Sequence, residues 1–373
     1  MTSTTAPPSS PSPEEDEPSP EDPPESSLRA VPEVDVEVST VAEGLAAPWG
    51  LAPLADGRLL VSLRDERTLI LVDPQDGSTT QVTGPGADDL RERTDATGEG
   101  GLMGLALDPD DEEMLYVYRT GVAANEVLRG RQADGTLADL EPVVTDIPKA
   151  GNHNGGRLAF GPDGYLYVAT GDAAQPGTSQ DPDALGGKIL RVTTDGEPAP
   201  GNPDEGSPVW SLGHRNVQGL GWDATERMFA SEFGQNRLDE LNVVEPGANY
   251  GWPEREGTEG GGGDGLVDPI VTWETSRASP SGLAVTDEGV YVAGLRGQVL
   301  WRVPFAEGPG GVPDDGWSAD AFGEPQALLT DVGRVRTVVA RPDGGLWVLT
   351  NNTDGRGSPR AGDDRLLSVS VDS

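Results

Sequence analysis

Internal repetition limits this chain's fold more than any other feature. A unit of an apolar strand, a polar turn usually containing Asp-Gly, a second apolar or aromatic strand and then a third recurs six times. The third copy is the clearest: Arg157-Leu-Ala-Phe-Gly-Pro-Asp-Gly-Tyr-Leu-Tyr-Val-Ala-Thr170, then Gly187-Lys-Ile-Leu-Arg-Val192. The sixth repeats it as Val338-Val-Ala-Arg-Pro-Asp-Gly-Gly-Leu-Trp-Val-Leu-Thr350, and the first as Gly50-Leu-Ala-Pro-Leu-Ala-Asp-Gly-Arg-Leu-Leu-Val61. The position of Pro162 is taken in the other copies by Ala55, Pro109, Ala224, Asp287 and Pro342, giving steps of 54, 53, 62, 63 and 55 residues. Such steps fit four strands and their loops. A β-helix needs a far shorter period, and a sandwich would not repeat six times. The expected fold is all-β, a six-bladed β-propeller over 33–373. Glu33-Val-Asp-Val-Glu-Val38 alternates apolar and polar residues and is expected to pair with the last blade, because an open ring would expose sheet edges.

Composition agrees. Among 373 residues there are 52 Gly and 33 Pro, which suits many short strands and tight turns. The formal charge of −38 repels nucleic acid and anionic lipid. Without cysteine, the chain has no disulfides, thiolate metal sites or thiol nucleophiles. No stretch approaches the ~20 apolar residues of a membrane span. Residues 1–27 hold 8 Pro, 7 Ser and 7 acidic residues with no Lys or Arg, so a disordered tail is expected over 1–32. Such a stalk suits an exported protein (periplasmic, extracellular or tethered to the cell surface) whose signal is absent from this chain, although a cytoplasmic protein could carry it.

Equivalent positions of successive blades should form a ring around the axis. Nine residues before Pro162 stands His153, and the same count gives Gly100, Arg215, Ala278 and Gly333. Next to these lie Glu99, Asn154, Asn216, Arg277 and Arg334. Only His153 and His214 are histidines; His153 lies on the ring position, whereas His214 is one residue off it and is read as structural. Arg334 and Arg336, two apart, should share one side of a strand. Arginines gathered at one mouth of so acidic a chain point to an anionic ligand. The acidic, Gly-rich stretch 231–252 suits a hard cation such as Ca²⁺.

From about residue 40 to 370 the chain resembles the soluble quinoprotein glucose and aldose sugar dehydrogenases, the glucose/sorbosone dehydrogenase family. The motifs that carry the resemblance are Gly98-Glu-Gly-Gly-Leu-Met-Gly104, Asn152-His-Asn-Gly-Gly-Arg157 with Thr170-Gly-Asp172, Gly213-His-Arg-Asn-Val-Gln-Gly219, Glu232-Phe-Gly-Gln235 through Gly251-Trp-Pro253, and Arg334-Val-Arg336. It implies oxidation of an aldose at the anomeric carbon by hydride transfer to pyrroloquinoline quinone (PQQ), a tricarboxylated ortho-quinone bound with Ca²⁺; the electron acceptor stays unknown. By the same resemblance His153 is the general base, Asp172 orients it, and Arg215 and Asn216 bind the quinone oxygens. Arg334 and Arg336 grip carboxylates, and Arg296 stands where the family often has lysine. Gly234 and Gln235 offer carbonyls to the cofactor's Ca²⁺, while Glu240 and Tyr250 match a second, structural Ca²⁺ site. Glu99 replaces a usual glutamine, and Arg277 is the cation expected to offset it. Two other readings stay open here: a Ca²⁺-dependent propeller hydrolase of the lactonase type, and a non-catalytic propeller binding sugar or protein.

Overall fold

The computed structural model describes residues 1–2, 32–258, 265–306 and 321–372. All but the ends of the expected disordered tail therefore lies outside the described residues. Among the described residues there are six antiparallel sheets, five of four strands and one of five. Each blade runs outward from an innermost strand, these being Pro48–Pro53, Leu102–Leu107, Leu158–Phe160, Val217–Trp222, Pro280–Thr286 and Val335–Ala340 for blades 1 to 6. Each innermost strand touches those of its two neighbours, and the last touches the first, so they ring a central axis. The expected six-bladed β-propeller is the observed fold.

The strands form where repeated apolar runs can be buried on both faces by adjacent sheets. Tyr116 and Val127 of blade 2 pack with Val168 and Leu190 of blade 3. Phe229 and Leu241 of blade 4 likewise pack with Val290 and Trp301 of blade 5. The Asp-Gly turns sit at the far end of each innermost hairpin, as at Phe160↔Leu166 and Ala340↔Leu346. The near ends of the same hairpins therefore gather at the opposite mouth. Among the described residues the single α-helix, Pro85–Arg93, lies between blades 1 and 2, and no helix is long and apolar enough to cross a membrane.

The ring closes through its first strand. Asp35–Ala42 is longer than the alternating segment read from sequence, and it pairs antiparallel with Leu366–Asp372 as the outer strand of blade 6. Val36 packs against the core of that blade. Without cysteine, this pairing is not backed by a disulfide. Val36→Asp should place a charge against Val371 and lower unfolding free energy by about 1–3 kcal/mol. Denaturant unfolding measures this; an unchanged midpoint would mean that the closing strand adds no stability.

Candidate active site

The near ends of the hairpins enclose a cleft of about 610 Å³ at one mouth of the channel. Nine of the residues singled out in the sequence line it: Glu99, His153, Arg215, Asn216, Gly234, Gln235, Arg296, Arg334 and Arg336. They come from five blades, so the fold brings together groups that are far apart in the chain.

His153 takes a left-handed backbone conformation, φ 56°, which turns its short loop back toward the next hairpin. A Cβ on Gly171 would lie 2.0 Å from the His153 carbonyl oxygen, so only glycine lets the two loops approach this closely. Asp172 follows directly, and its Oδ1 meets His153 Nδ1 at 2.7 Å. Arg215 Nη2 stands 2.8 Å from His153 Nε2. A guanidinium can only donate, so Nε2 is the acceptor and the ring proton resides on Nδ1, donated to Asp172. The imidazole is thus held in one tautomer, with its Nε2 lone pair on the side of the cleft, where Arg215 and Asn152 Nδ2, 3.3 Å away, both donate to it.

Asp172 is buried behind the ring. Burial disfavours its charge, but hydrogen bonds from His153, Trp252 Nε1 (2.9 Å) and the Ala174 amide (2.8 Å) outweigh this and hold the carboxyl below its usual range. Asn216 uses its Oδ1 to accept the Gly155 amide at 2.9 Å, tying blade 4 to the His153 loop. His214 is fully buried between Ser211 Oγ and Glu232 Oε2, each 2.8 Å away, in keeping with a structural role.

Arg334 and Arg336 do share one side. Both reach the buried Asp354 carboxylate, at 2.8 and 3.6 Å. Arg336 also donates to Gln218 Oε1 at 2.9 Å, and its guanidinium lies over the Trp49 ring. Burial, and then Arg64 beside it, pushes the Arg336 guanidinium down to about 9.

One of the expected arginines stands apart from the others. Arg277 does not line the cleft; it is exposed and its guanidinium lies over Trp301, 5.5 Å from the ring centre. The cation that offsets Glu99 is Arg356, at 2.6 Å across the mouth. Glu99 also accepts the His153 amide at 3.2 Å. Trp49, Arg64, Gln218, Asp239, Asp354 and Arg356 line the cleft unforeseen. A usable signal existed. In an antiparallel hairpin the end of the second strand lies beside the start of the first, as Pro48↔Leu63 and Val335↔Thr350 show. Arg64 and Asp354 follow just after those second strands.

Glu240 and Tyr250 do not reach the cleft. With Glu232, Trp252, Arg255 and Glu256 among others, they line a separate cavity of about 10 Å³, room for one small occupant. Glu240 Oε1 accepts the Gly257 amide at 2.7 Å, and Oε2 accepts Asn242 Nδ2 at 3.1 Å. Among the described residues no three His, Asp or Glu side chains are grouped to hold a metal ion, so any ion would need backbone oxygens as well. Burial and then Glu232 push the Glu240 carboxyl well above its usual range.

The family model described as glucose/sorbosone dehydrogenase matches residues 45–359. A cationic cleft at a propeller mouth, built around a carboxylate-held histidine, accompanies that match, and the chain belongs to this family. It is 49% identical to an aldose sugar dehydrogenase of Streptomyces coelicolor whose PQQ-bound structure covers 92% of this chain and 100% of that one, with a TM-score of 0.81. It is 40% identical to a Thermus thermophilus protein described as a glucose dehydrogenase–type oxidoreductase, covering 90% and 100% with a TM-score of 0.80. An aldose sugar dehydrogenase of Escherichia coli is 31% identical over 88% of this chain and 94% of its own length.

Glu240 generates a prediction for the metal-free chain. Its folded pKa lies above the unfolded value of 4.5, so the folded state binds the extra proton and stability falls as pH rises above that value. Asp239, pushed up to about 6 by burial, adds to the fall. Chelated protein should melt lower at pH 8 than at pH 5, and Glu240→Gln should reduce that difference. Scanning calorimetry across this range tests it; a slope identical in the variant would contradict the assignment.

Proposed function

We propose that this chain oxidises aldose sugars at the anomeric carbon to the lactone, with PQQ as the two-electron acceptor and Ca²⁺ beside it. One observation carries the reading: the cleft around His153 sets six guanidiniums, those of Arg64, Arg215, Arg296, Arg334, Arg336 and Arg356, against three carboxylates, Glu99, Asp239 and Asp354. Arg64 also pairs with Asp65 at 2.6 Å, and a flat polycarboxylate suits the cationic excess that remains, its planar carboxylates matching guanidinium forks. The cleft volume lies within the ~300–1,000 Å³ of small-molecule sites. The relatives named above support the same cofactor and substrate class.

Arg334 and Arg336 would hold the cofactor carboxylates, with Arg296 as a further cation. Asn216 and Arg215 would meet the quinone oxygens. Gly234 and Gln235 would give carbonyl oxygens to Ca²⁺, and Glu240 and the Tyr250 carbonyl would hold a second ion. When bound, PQQ supplies the ortho-quinone that accepts hydride, and Ca²⁺ polarises it as a Lewis acid.

His153 Nε2 takes the proton of the anomeric hydroxyl. To do so it exchanges its hydrogen bonds from Arg215 and Asn152 for one from the sugar, and the freed guanidinium can then face the oxygen on which negative charge develops. Asp172 keeps the proton on Nδ1 throughout, so Nε2 stays the acceptor.

Two variants test these roles. His153→Ala should lower turnover on saturating aldose by about 10²–10⁴-fold with PQQ affinity largely kept. Steady-state rates of the reconstituted variant decide it, and turnover near wild type would remove His153 as the base. Arg334→Met should weaken PQQ binding by about 1.5–3 kcal/mol. Equal affinity by fluorescence titration would confine Arg334 to its pairing with Asp354.

A further inference from the structure

The loop that follows the second strand of blade 4, Met228–Glu232, is wound around a side chain from beyond Trp252. Four successive amides point at one oxygen, Oε1 of Glu256: Gln235 at 2.7 Å, Asn236 at 3.3 Å, Arg237 at 3.2 Å and Leu238 at 3.1 Å. The preceding amide, of Gly234, donates instead to Asp239 Oδ1 at 2.9 Å. The winding is tight. A Cβ on Gly234 would lie 1.6 Å from the Leu238 carbonyl oxygen and 2.6 Å from Glu256 Oε1.

This fixes where the carbonyls go. In a trans peptide the C=O points opposite to the N–H of the next residue. With the Gln235 and Asn236 amides aimed at Glu256, the carbonyls of Gly234 and Gln235 must aim away from it. Both residues line the cleft. The Phe233 carbonyl, next to them, is taken by Arg215 Nη1 at 3.2 Å.

We infer that Glu256 is a positioning residue that presents the Gly234 and Gln235 carbonyls to the cleft and thereby sets its affinity for a divalent cation. The inference rests on the proposal that these two carbonyls take Ca²⁺. Glu256 need not touch the ion. It acts by gathering the loop's amide hydrogens on the side away from the cleft, so that only oxygen faces a cation there. Without the carboxylate those four donors lose their shared acceptor, and the peptides are free to rotate toward other partners. Glutamine keeps a carbonyl oxygen that can accept the same amides while removing the charge.

The test uses the full chain, depleted of metal, as wild type, Glu256→Ala and Glu256→Gln. Ca²⁺ is titrated by calorimetry with and without PQQ, because Glu256 also lines the small cavity beside Glu240 and only the PQQ-dependent ion reports on the cleft. Amide hydrogen exchange of residues 235–238 is followed in parallel. Glu256→Ala should raise the Kd of the PQQ-dependent Ca²⁺ by tenfold or more and speed exchange at those amides. Glu256→Gln should stay within about threefold of wild type on both measures. A role confined to folding would lower the melting temperature of Glu256→Ala without moving the Ca²⁺ affinity, and that overturns the inference alone. A glutamine variant as impaired as alanine would assign the effect to charge and also overturn it. If the wild-type chain itself takes up no PQQ-dependent Ca²⁺, the inference falls together with the cofactor reading beneath it.

Discussion

Asp35–Ala42 hydrogen-bonds to Leu366–Asp372, and the geometry of the whole mouth depends on that pairing. A propeller is a set of hairpins that touch only their neighbours, and a ring held at all but one junction can splay. Closing blade 6 with the first strand puts the two ends of the chain into one sheet. That brings Glu99 of blade 2 and Arg356 of blade 6 within 2.6 Å across 257 residues of sequence. It likewise lets Thr337 Oγ1 donate to the Trp49 carbonyl at 2.6 Å, joining the innermost strands of blades 6 and 1.

On that scaffold the chain builds a local field opposite to its overall charge. Its net charge is −38, yet the cleft gathers six arginines. Two buried guanidiniums, of Arg157 and Arg336, lie over the Trp49 ring at 4.3 and 5.8 Å. Asp354 is shared between Arg334 and Arg336, so neither arginine is fully neutralised. A buried, incompletely paired cation attracts an anion far more strongly than a solvated one. His153 stands at the edge of this field, oriented by Asp172 and Arg215. Anion binding and proton acceptance thus depend on the same few hydrogen bonds.

Much of this was legible because a repeat converts sequence position into place on a ring. Counting back from the Pro162 position found His153 and Arg215, since each lies in the loop that leads into an innermost strand. Arg277 stays outside the cleft because it lies in the turn after Val271–Glu274, where Trp301 of its own blade lies under its guanidinium and donates to its carbonyl. The count passed over Arg64 and Asp354 because it followed only the start of each hairpin. The Glu99–Arg356 pair could not be read at all: both lie in loops whose course is set by the closed ring, not by strand periodicity. The grip of Glu256 on residues 235–238 is hidden for the same reason, being a contact between two loops.

The central claim is that the cationic cleft holds PQQ with Ca²⁺ and uses it to oxidise an aldose. The most direct measurement is an anaerobic single-turnover experiment on the reconstituted chain, following the cofactor's absorbance as aldoses are added one at a time. The account predicts stoichiometric PQQ binding that requires Ca²⁺, then bleaching of the oxidised cofactor by at least one aldose, with one equivalent of lactone released. Failure to bind PQQ in the presence of Ca²⁺, or a bound cofactor that no aldose reduces, would contradict it.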